Sequence, residues 1–338
     1  MTEEKWEKKT RDGLLEYLKK NSCKEYFEKL MKAEVEFNWP NDVAIDSKGN
    51  IYIADSRNHC IKKVAPSGTL SIFAGSDKAE SGNRDGKGTE ARFSCPRGMA
   101  IDSDDSIYVA DTDNNSIRRI TPDGNVIIFA DGFGYPCGVA IDFEGDIYVT
   151  DSLNHCIYRV TPDGKVSLFV GSGRRGEPGF QAGQGTEARF NYPYGITVDS
   201  KRHIYVTDAW NCGIYEITPG GRVDILARGL AEPTGIAIDS KGNIYISDSL
   251  NQCINKMTPS GTLSIFAGSE AESGNRDGKG TEARFSCPRG MAIDSDDSIY
   301  IADACNDRIR IATFEGNVRT MNVRTMSTKV TMYYKYKV

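Results

Sequence analysis

Two groups of side chains in this sequence have the chemistry of a reactive or metal-binding site. The first group is a few histidines and cysteines, and the second is a long series of aspartates. The sequence contains three histidines and nine cysteines. The triplet Asn-His-Cys occurs twice, at residues 58–60 and 154–156, and Cys253 has the same place in a third, related segment. Imidazole and thiolate groups bind zinc when three or four of them converge on one point. Whether they converge here depends on how the chain brings these segments together.

The aspartates recur at two fixed positions, where they could hold a calcium ion or transfer protons. The first series is Asp46, Asp102, Asp142, Asp199, Asp239 and Asp294, and the second is Asp55, Asp111, Asp151, Asp208, Asp248 and Asp303. Each member stands directly before a turn. Because a short carboxylate in this place accepts backbone N–H bonds, we interpret both series as turn-closing residues. The six asparagines from Asn58 to Asn306 have the same expected role.

All of these side chains belong to a repeat of about 40 residues. Its six units begin at Pro40, Pro96, Pro136, Pro193, Pro233 and Pro288, with start-to-start spacings of 56, 40, 57, 40 and 55 residues. The first, third and fifth units therefore contain an additional segment. Each unit has four short strand-like runs, separated by turn sequences such as Pro122-Asp-Gly124. Six such units predict an all-β fold, a six-bladed β-propeller of four-stranded blades.

The repeat resembles a known family. Asn58-His59-Cys60 and Asn154-His155-Cys156 each follow a strand with the pattern Ile-Tyr-Ile/Val, and the segment Gly86-Lys-Gly-Thr-Glu-Ala-Arg-Phe93 recurs near 183 and 278. These motifs resemble the NHL repeat, named for an Asn-His-Leu triplet, over residues 37–321. The resemblance implies a six-bladed NHL-type propeller, a fold that hosts unrelated functions. Animal members often carry ubiquitin-ligase modules before the propeller, but no Cys/His zinc pattern precedes Pro40 here, so that activity does not carry over.

Both ends of the chain differ from the repeat. Residues 1–36 are expected to form a helical extension with one apolar stripe, formed by Cys23, Tyr26, Phe27, Leu30 and Met31. This stripe packs either on the propeller itself or on a partner. Residues 322–338 contain no acidic residue and are expected to form a basic tail or an extra edge strand. The sequence leaves open how the ring closes.

The ring geometry argues against a shared zinc site or disulfide. His59 and His155 are two blades apart, about 120° around a six-bladed ring, and Cys60, Cys156 and Cys253 are separated in the same way. These separations exceed the few ångströms that a metal site or disulfide spans. We therefore expect no catalytic residue and no resident cofactor. The alternative is a calcium-assisted, lactonase-like hydrolase with several carboxylates in the central tunnel.

The charge balance bears on the choice of partner. Lys and Arg total 42 and Asp and Glu total 47, a net charge of −5. The first 36 residues are neutral and residues 317–338 carry +5, so residues 37–316 carry −10. An acidic ring disfavours phosphate binding, and single-stranded RNA, which some NHL propellers bind, is our third alternative. We find no signal peptide or bilayer-length apolar run, and with an odd number of cysteines we expect a cytoplasmic, monomeric propeller that does not contact membranes.

Candidate binding residues lie in the loops of one face, which we call the insertion face. It holds the connections between blades, the loops after the second strands and all three insertions, and binding residues favour such loops on a rigid scaffold. At one loop position, blades three to five have Leu153, Trp210 and Leu250, which predict a contiguous apolar patch unless the insertions cover it. In five of the six units the variable residue after the proline adds a candidate at the tunnel mouth: Asn41, Arg97, Tyr194, Thr234 and Arg289.

We therefore predict a non-catalytic scaffold that binds a protein or peptide partner through these eight residues, with Trp210 as the anchor. In each insertion a phenylalanine keeps a constant spacing to the following proline. We assign these three residues to the core: Phe93, Phe190 and Phe285.

Overall fold

The computed structural model describes residues 37–173, 176–270 and 272–325, which form six β-sheets in chain order around a central axis. The first strands of consecutive sheets pack against each other, and the first strand of the sixth sheet packs against that of the first. This contact closes the ring, so the predicted six-bladed all-β propeller is confirmed. The helical extension expected for residues 1–36 lies outside the described residues.

The four main strands of each blade form an antiparallel sheet, and the first strand lines the axis. Blades one and two contain β1 (Pro40–Ile45), β2 (Ile51–Asp55), β3 (Cys60–Val64), β4 (Thr69–Gly75), β5 (Gly86–Lys87), β6 (Pro96–Ile101), β7 (Ile107–Asp111), β8 (Ser116–Ile120) and β9 (Asn125–Asp131). Blades three and four contain β10 (Pro136–Ile141), β11 (Ile147–Asp151), β12 (Cys156–Val160), β13 (Val166–Gly171), β14 (Gly183–Gln184), β15 (Pro193–Val198), β16 (Ile204–Asp208), β17 (Gly213–Ile217) and β18 (Arg222–Arg228). Blades five and six contain β19 (Pro233–Ile238), β20 (Ile244–Asp248), β21 (Cys253–Met257), β22 (Leu263–Gly268), β23 (Gly278–Lys279), β24 (Pro288–Ile293), β25 (Ile299–Asp303), β26 (Arg308–Ala312) and β27 (Asn317–Thr320).

Within the described ranges four of the six blades have a fifth strand, so the prediction of four-stranded blades was wrong for these. Each insertion contributes a two-residue strand to the outer edge of the following blade: β5 pairs with β9, β14 with β18, and β23 with β27. The outermost strand of a blade leaves unpaired backbone groups, which the insertion satisfies. The insertion phenylalanines Phe93, Phe190 and Phe285 are fully buried between blades, which confirms their assignment to the core.

The fifth strand of blade one comes from the other end of the chain. After β27 the chain returns to blade one, where β28 (Arg324–Thr325) pairs in parallel with β4. On the insertion face of the junction between blades one and six, the backbone N–H of Trp39 donates to Asp307 Oδ1 at 2.7 Å. Blades one and six are thus tied at both the outer edge and the insertion face, and each keeps its own four main strands.

The glycine of the Pro-x-Gly motif permits the first strands to approach one another around the axis. A Cβ at Gly195 would lie 2.0 Å from the carbonyl oxygen of Thr234, and one at Gly235 would lie 2.0 Å from that of Arg289. Both distances are too short for any side chain. In blade one this position is Asp42, whose carboxylate lies against Gly290 of blade six.

Helical structure in the described residues is limited to six short 3-10 turns, none long and apolar enough to cross a membrane. They are Ser56–Asn58, Gly88–Glu90, Thr112–Asn114, Gly185–Glu187, Gly280–Glu282 and Ala304–Asn306.

Candidate functional site

The aspartates that end the first strands close the turns that follow. Asp46 Oδ1 accepts hydrogen bonds from the backbone N–H groups of Lys48 and Asn50, at 2.9 and 2.8 Å. The same pair of bonds recurs in the other blades, for example at Asp102. The predicted structural role of this series is confirmed, because its oxygens are occupied by the turn and do not converge in the tunnel.

The aspartates that end the second strands are buried and anchor the loop that enters their own blade, so the prediction that they close the following turn was wrong. Asp55 Oδ1 accepts the N–H of Asn38 at 2.7 Å, and Oδ2 accepts Asn58 Nδ2 at 2.7 Å. Burial raises the pKa of these carboxyls, and that of Asp208, which has no ion-pair partner among the described residues, rises to about 8. Three blades add a buried cation to the aspartate: Lys62 to Asp55, Arg118 to Asp111, and Arg310 to Asp303.

The histidine of the Asn-His-Cys triplet has a structural role that sequence reasoning missed. His59 Nδ1 accepts the backbone N–H of Cys95, in the loop that enters the next blade, at 3.1 Å. His155 accepts that of Tyr192 in the same way. Cys95 and Tyr192 both have positive φ, 53° and 65°, so the bond holds a strained residue. Burial lowers the pKa of both imidazoles, which favours the neutral form that can accept. The available signal was that histidine occupies this position only in units followed by an insertion.

The central tunnel contains a cavity of about 380 Å³, lined by the first strands of all six blades. Among its described lining residues the one carboxylate is Asp42, which accepts the backbone N–H groups of Met99 and Val43 at 2.8 and 2.9 Å. Burial raises the pKa of Asp42 to about 7. Across the described ranges, no cluster of three or more His, Cys, Asp or Glu side chains is arranged to hold a metal ion. The several convergent carboxylates that a calcium-assisted hydrolase needs are therefore not found in this part of the chain.

The three apolar loop residues are exposed on the insertion face. The exposed fractions of Leu153, Trp210 and Leu250 are 54%, 60% and 57%, so the insertions do not cover them. The indole of Trp210 stacks on the ring of Tyr192, with centroids 4.7 Å apart and planes 10° apart. This stacking fixes the orientation of the indole while leaving most of its surface open to solvent.

The tunnel-mouth residues fall into two groups. Asn41, Tyr194 and Thr234 are buried, so they support the mouth rather than present a surface. The side chain of Tyr194 reaches from blade four toward blade one, where its hydroxyl donates to Asn41 Oδ1 at 3.0 Å. Thr234 Oγ1 shares a 2.6 Å hydrogen bond with Ser249 Oγ inside blade five.

Arg97 and Arg289 are partly exposed and meet at the hydroxyl of Tyr194. Their Nη1 atoms donate to this oxygen at 3.0 and 2.8 Å, and Arg97 Nη2 donates to the hydroxyl of Tyr135 at 2.6 Å. The Arg289 guanidinium also lies 5.4 Å from the ring of Trp39. Sequence reasoning missed Trp39 and Tyr135, although both stand directly before the proline that begins a blade.

Family models match most of the ring. The model described as the Teneurin NHL domain matches residues 78–218, and the NHL repeat model matches residues 37–64, 230–256 and 285–312. Together they cover segments of all six blades, including those that carry Asn58-His59-Cys60 and Asn154-His155-Cys156.

Known proteins share parts of the sequence and the whole fold. The chain is 43% identical over 89 residues, 26% of its length, to Protein SUPPRESSOR OF QUENCHING 1, chloroplastic, of Arabidopsis thaliana, and 35% identical over 97 residues, 28% of its length, to NHL repeat-containing protein 2 of Gallus gallus. These matches span only 8% and 13% of the relatives' own lengths. Among solved structures, a streptogramin B lyase has a TM-score of 0.60 at 16% identity, covering 87% of this chain and 86% of that one. The chain from a nidogen/laminin complex also has a TM-score of 0.60, at 18% identity over 81% and 92%.

Structural likeness at such low identity shows the fold alone. The repeat matches and the ring geometry, taken together, establish the family: the chain is an NHL-repeat protein whose repeats form a six-bladed β-propeller.

Proposed function

We propose that this propeller is a non-catalytic binding module that holds a protein or peptide partner against its insertion face. The observation that carries the proposal is the exposed apolar arc of Leu153, Trp210 and Leu250 on three consecutive blades. Large apolar and aromatic side chains at least half exposed to water favour burial against a partner. Their equivalent loop positions place one such side chain on each of blades three, four and five.

The support around Trp210 is that of an interface anchor. Because the indole already stacks on Tyr192, binding would fix little further side-chain motion, and an anchor held in advance loses little entropy on association. Aromatic residues of this kind often dominate binding energy at the centre of an interface.

The chemistry of the described residues favours binding over hydrolysis. The first aspartate series closes turns, the second anchors the loops that enter the blades, and the histidines His59 and His155 accept backbone N–H bonds between blades. The similarity to the streptogramin B lyase structure shows a shared fold only. No observation favours a second function. The proposal includes a cytoplasmic location and a monomeric ring without a resident cofactor, in keeping with the free thiols of the eight described cysteines.

The test is a capture experiment on the full-length chain with Trp210→Asp. An exposed aromatic at the opposite face, Phe143, is 74% exposed and gives the matched control Phe143→Asp. Partners captured by the wild type are identified by mass spectrometry and then titrated as purified proteins. A hot-spot loss of about 2 kcal/mol or more corresponds to an affinity roughly 30-fold lower for Trp210→Asp.

Thermal melting of both variants separates binding from folding. We expect Phe143→Asp to bind like the wild type, and we expect both variants to keep a cooperative transition. Equal affinity of Trp210→Asp and the wild type for every purified partner would refute the proposal.

A further inference from the structure

We propose that the tunnel mouth contains a carboxylate-binding site formed by Arg97 and Arg289. This inference deepens the proposed function and rests on it only for the use of the insertion face. The ligand is a free organic acid or the carboxylate of a peptide, and both present the same planar anion.

Within the described residues, the two guanidinium groups are held close together without an ion-pair partner. Both Nη1 atoms donate to the hydroxyl oxygen of Tyr194, at 3.0 and 2.8 Å, so these nitrogens are no more than 5.8 Å apart, the sum of the two distances. No carboxylate lies within 4 Å of either group in the part of the chain that the structure describes. A tyrosine hydroxyl is neutral and supplies only a partial charge. Two neighbouring cations therefore face one another across an oxygen that does not balance them.

The two fully buried arginines among the described residues are neutralised differently. Arg118 and Arg310 are fully buried, and each donates to two carboxylates of the chain. At the mouth, Arg97 and Arg289 instead have aromatic neighbours: Tyr135 and Tyr194 for Arg97, and Trp39 and Tyr194 for Arg289. Charges taken out of water without an opposite charge are unfavourable, and an external anion removes that penalty.

Hydrogen-bond donors remain for such an anion. The Nε atoms of Arg97 and Arg289 are buried with no partner, and Nη2 of Arg289 has none within the described chain. Both arginines retain some exposure at the mouth, so a ligand can reach them. The unpaired Nη2 of Arg289 therefore offers an entering carboxylate charge-assisted hydrogen bonds beside a second guanidinium.

A single carboxylate suits the site better than a chain of phosphates. Residues 37–316 carry −10 in total, and the acidic Glu232 stands near Arg289. A polyanion that extends over the ring would meet this net negative charge, whereas one carboxylate on a short chain can stay at the two arginines. The aromatic rings of Tyr135 and Trp39 offer apolar contact to the carbon atoms next to that carboxylate.

The experiment follows the side-chain Nε–Hε signals of the ¹⁵N-labelled full-length protein by NMR at constant ionic strength. The probes are sodium acetate, inorganic phosphate, a hexameric oligouridylate, and the tripeptide N-acetyl-Gly-Ser-Leu with either a free C-terminal carboxylate or an amide. Signals are assigned with Arg289→Gln and Arg97→Gln. Arg202, which pairs with Asp142 on the other face, is the internal control.

We expect acetate to shift the Arg97 and Arg289 signals but not that of Arg202, and Arg289→Gln to weaken acetate binding at least tenfold. If the tripeptide acid binds more tightly than both the tripeptide amide and acetate, the ligand is a peptide carboxylate. If the tripeptide acid and acetate bind equally, the ligand is a free organic acid. The absence of shifts at 50 mM acetate, or tighter binding of phosphate or oligouridylate than of the carboxylates, would overturn the proposal. Wild-type shifts decide the outcome even if a variant does not fold. Trp210→Asp should bind acetate normally, so failure of this site and failure of the partner patch are distinguishable.

Discussion

Replacing Arg118 with methionine should cost about 3–5 kcal/mol of unfolding free energy. The guanidinium and its partner Asp111 are both fully buried, with Nη1 2.9 Å from the carboxylate. Removing one member of a buried ion pair leaves the other charge uncompensated, and penalties of this size are typical. Native domains are stable by only about 5–15 kcal/mol, so the change is a large share of the total.

Arg118 also fixes the first insertion to blade two. Nη1 donates to the carbonyl oxygen of Arg92 at 3.0 Å, and Nη2 donates to that of Arg84 at 3.1 Å and to Asp85 at 2.7 Å. Methionine fills a similar volume but makes none of these bonds. The insertion should therefore become more sensitive to proteolysis near Arg84 than the rest of the ring.

The chain supplies its own control for this substitution. Blade one has Lys62 at the equivalent position, paired with Asp55. Arg118→Lys should thus keep the charge pair and lose only the bonds to the insertion, at a cost of about 1–2 kcal/mol. Urea unfolding followed by circular dichroism measures all three proteins. A loss below about 1 kcal/mol for Arg118→Met, or a larger loss for Arg118→Lys, would refute the reasoning.

The stability lost in Arg118→Met should also depend on pH. Burial already raises the pKa of Asp111 in the presence of Arg118, and removal of the cation should raise it further. When a carboxyl has a raised pKa in the folded state, the folded protein becomes more stable as the pH falls through that value, because protonation removes the unpaired charge. The difference between Arg118→Met and the wild type should therefore shrink between pH 8 and pH 5. A constant difference would contradict this account.

Two further predictions concern the contacts between blades. Burial lowers the pKa of His59 and His155, so protons bind the unfolded chain preferentially and the wild type should lose stability as the pH falls below about 6.5. In blade five Gln252 accepts the equivalent backbone N–H, so the double variant His59→Gln, His155→Gln keeps an acceptor that does not titrate. Its melting temperature should fall less between pH 7.5 and 5.5 than that of the wild type. An identical fall would count against this role of the histidines. Gly195→Ala places a Cβ 2.0 Å from a carbonyl oxygen and should cost about 1–3 kcal/mol in urea unfolding, whereas Gly220→Ala, which meets no atom within 4 Å, should be nearly neutral; equal effects would refute the close-approach argument.

The blade count and the turn-closing role of the first aspartate series could be predicted because they depend on local chemistry. Strands, turns and turn-closing carboxylates are specified within each unit of about 40 residues and recur six times. The burial of Phe93, Phe190 and Phe285 followed from the same regularity. The exposure of Leu153, Trp210 and Leu250 depended on where the insertions lie, and the sequence left two possibilities open.

Tertiary structure decided what happens where distant units meet. The insertions pair with the outer edges of the following blades because those edges have free backbone groups, and no pattern within the insertion specifies that partner. The hydroxyl of Tyr194 joins Asn41, Arg97 and Arg289 from three other blades at one point. These residues are up to 153 positions from Tyr194 in the chain, and only closure of the ring makes them neighbours. The sequence by itself therefore determined the repeating unit and the number of blades. The paired guanidinium groups depended on ring closure, because residues of different blades meet at the axis only when all six chain segments are in place.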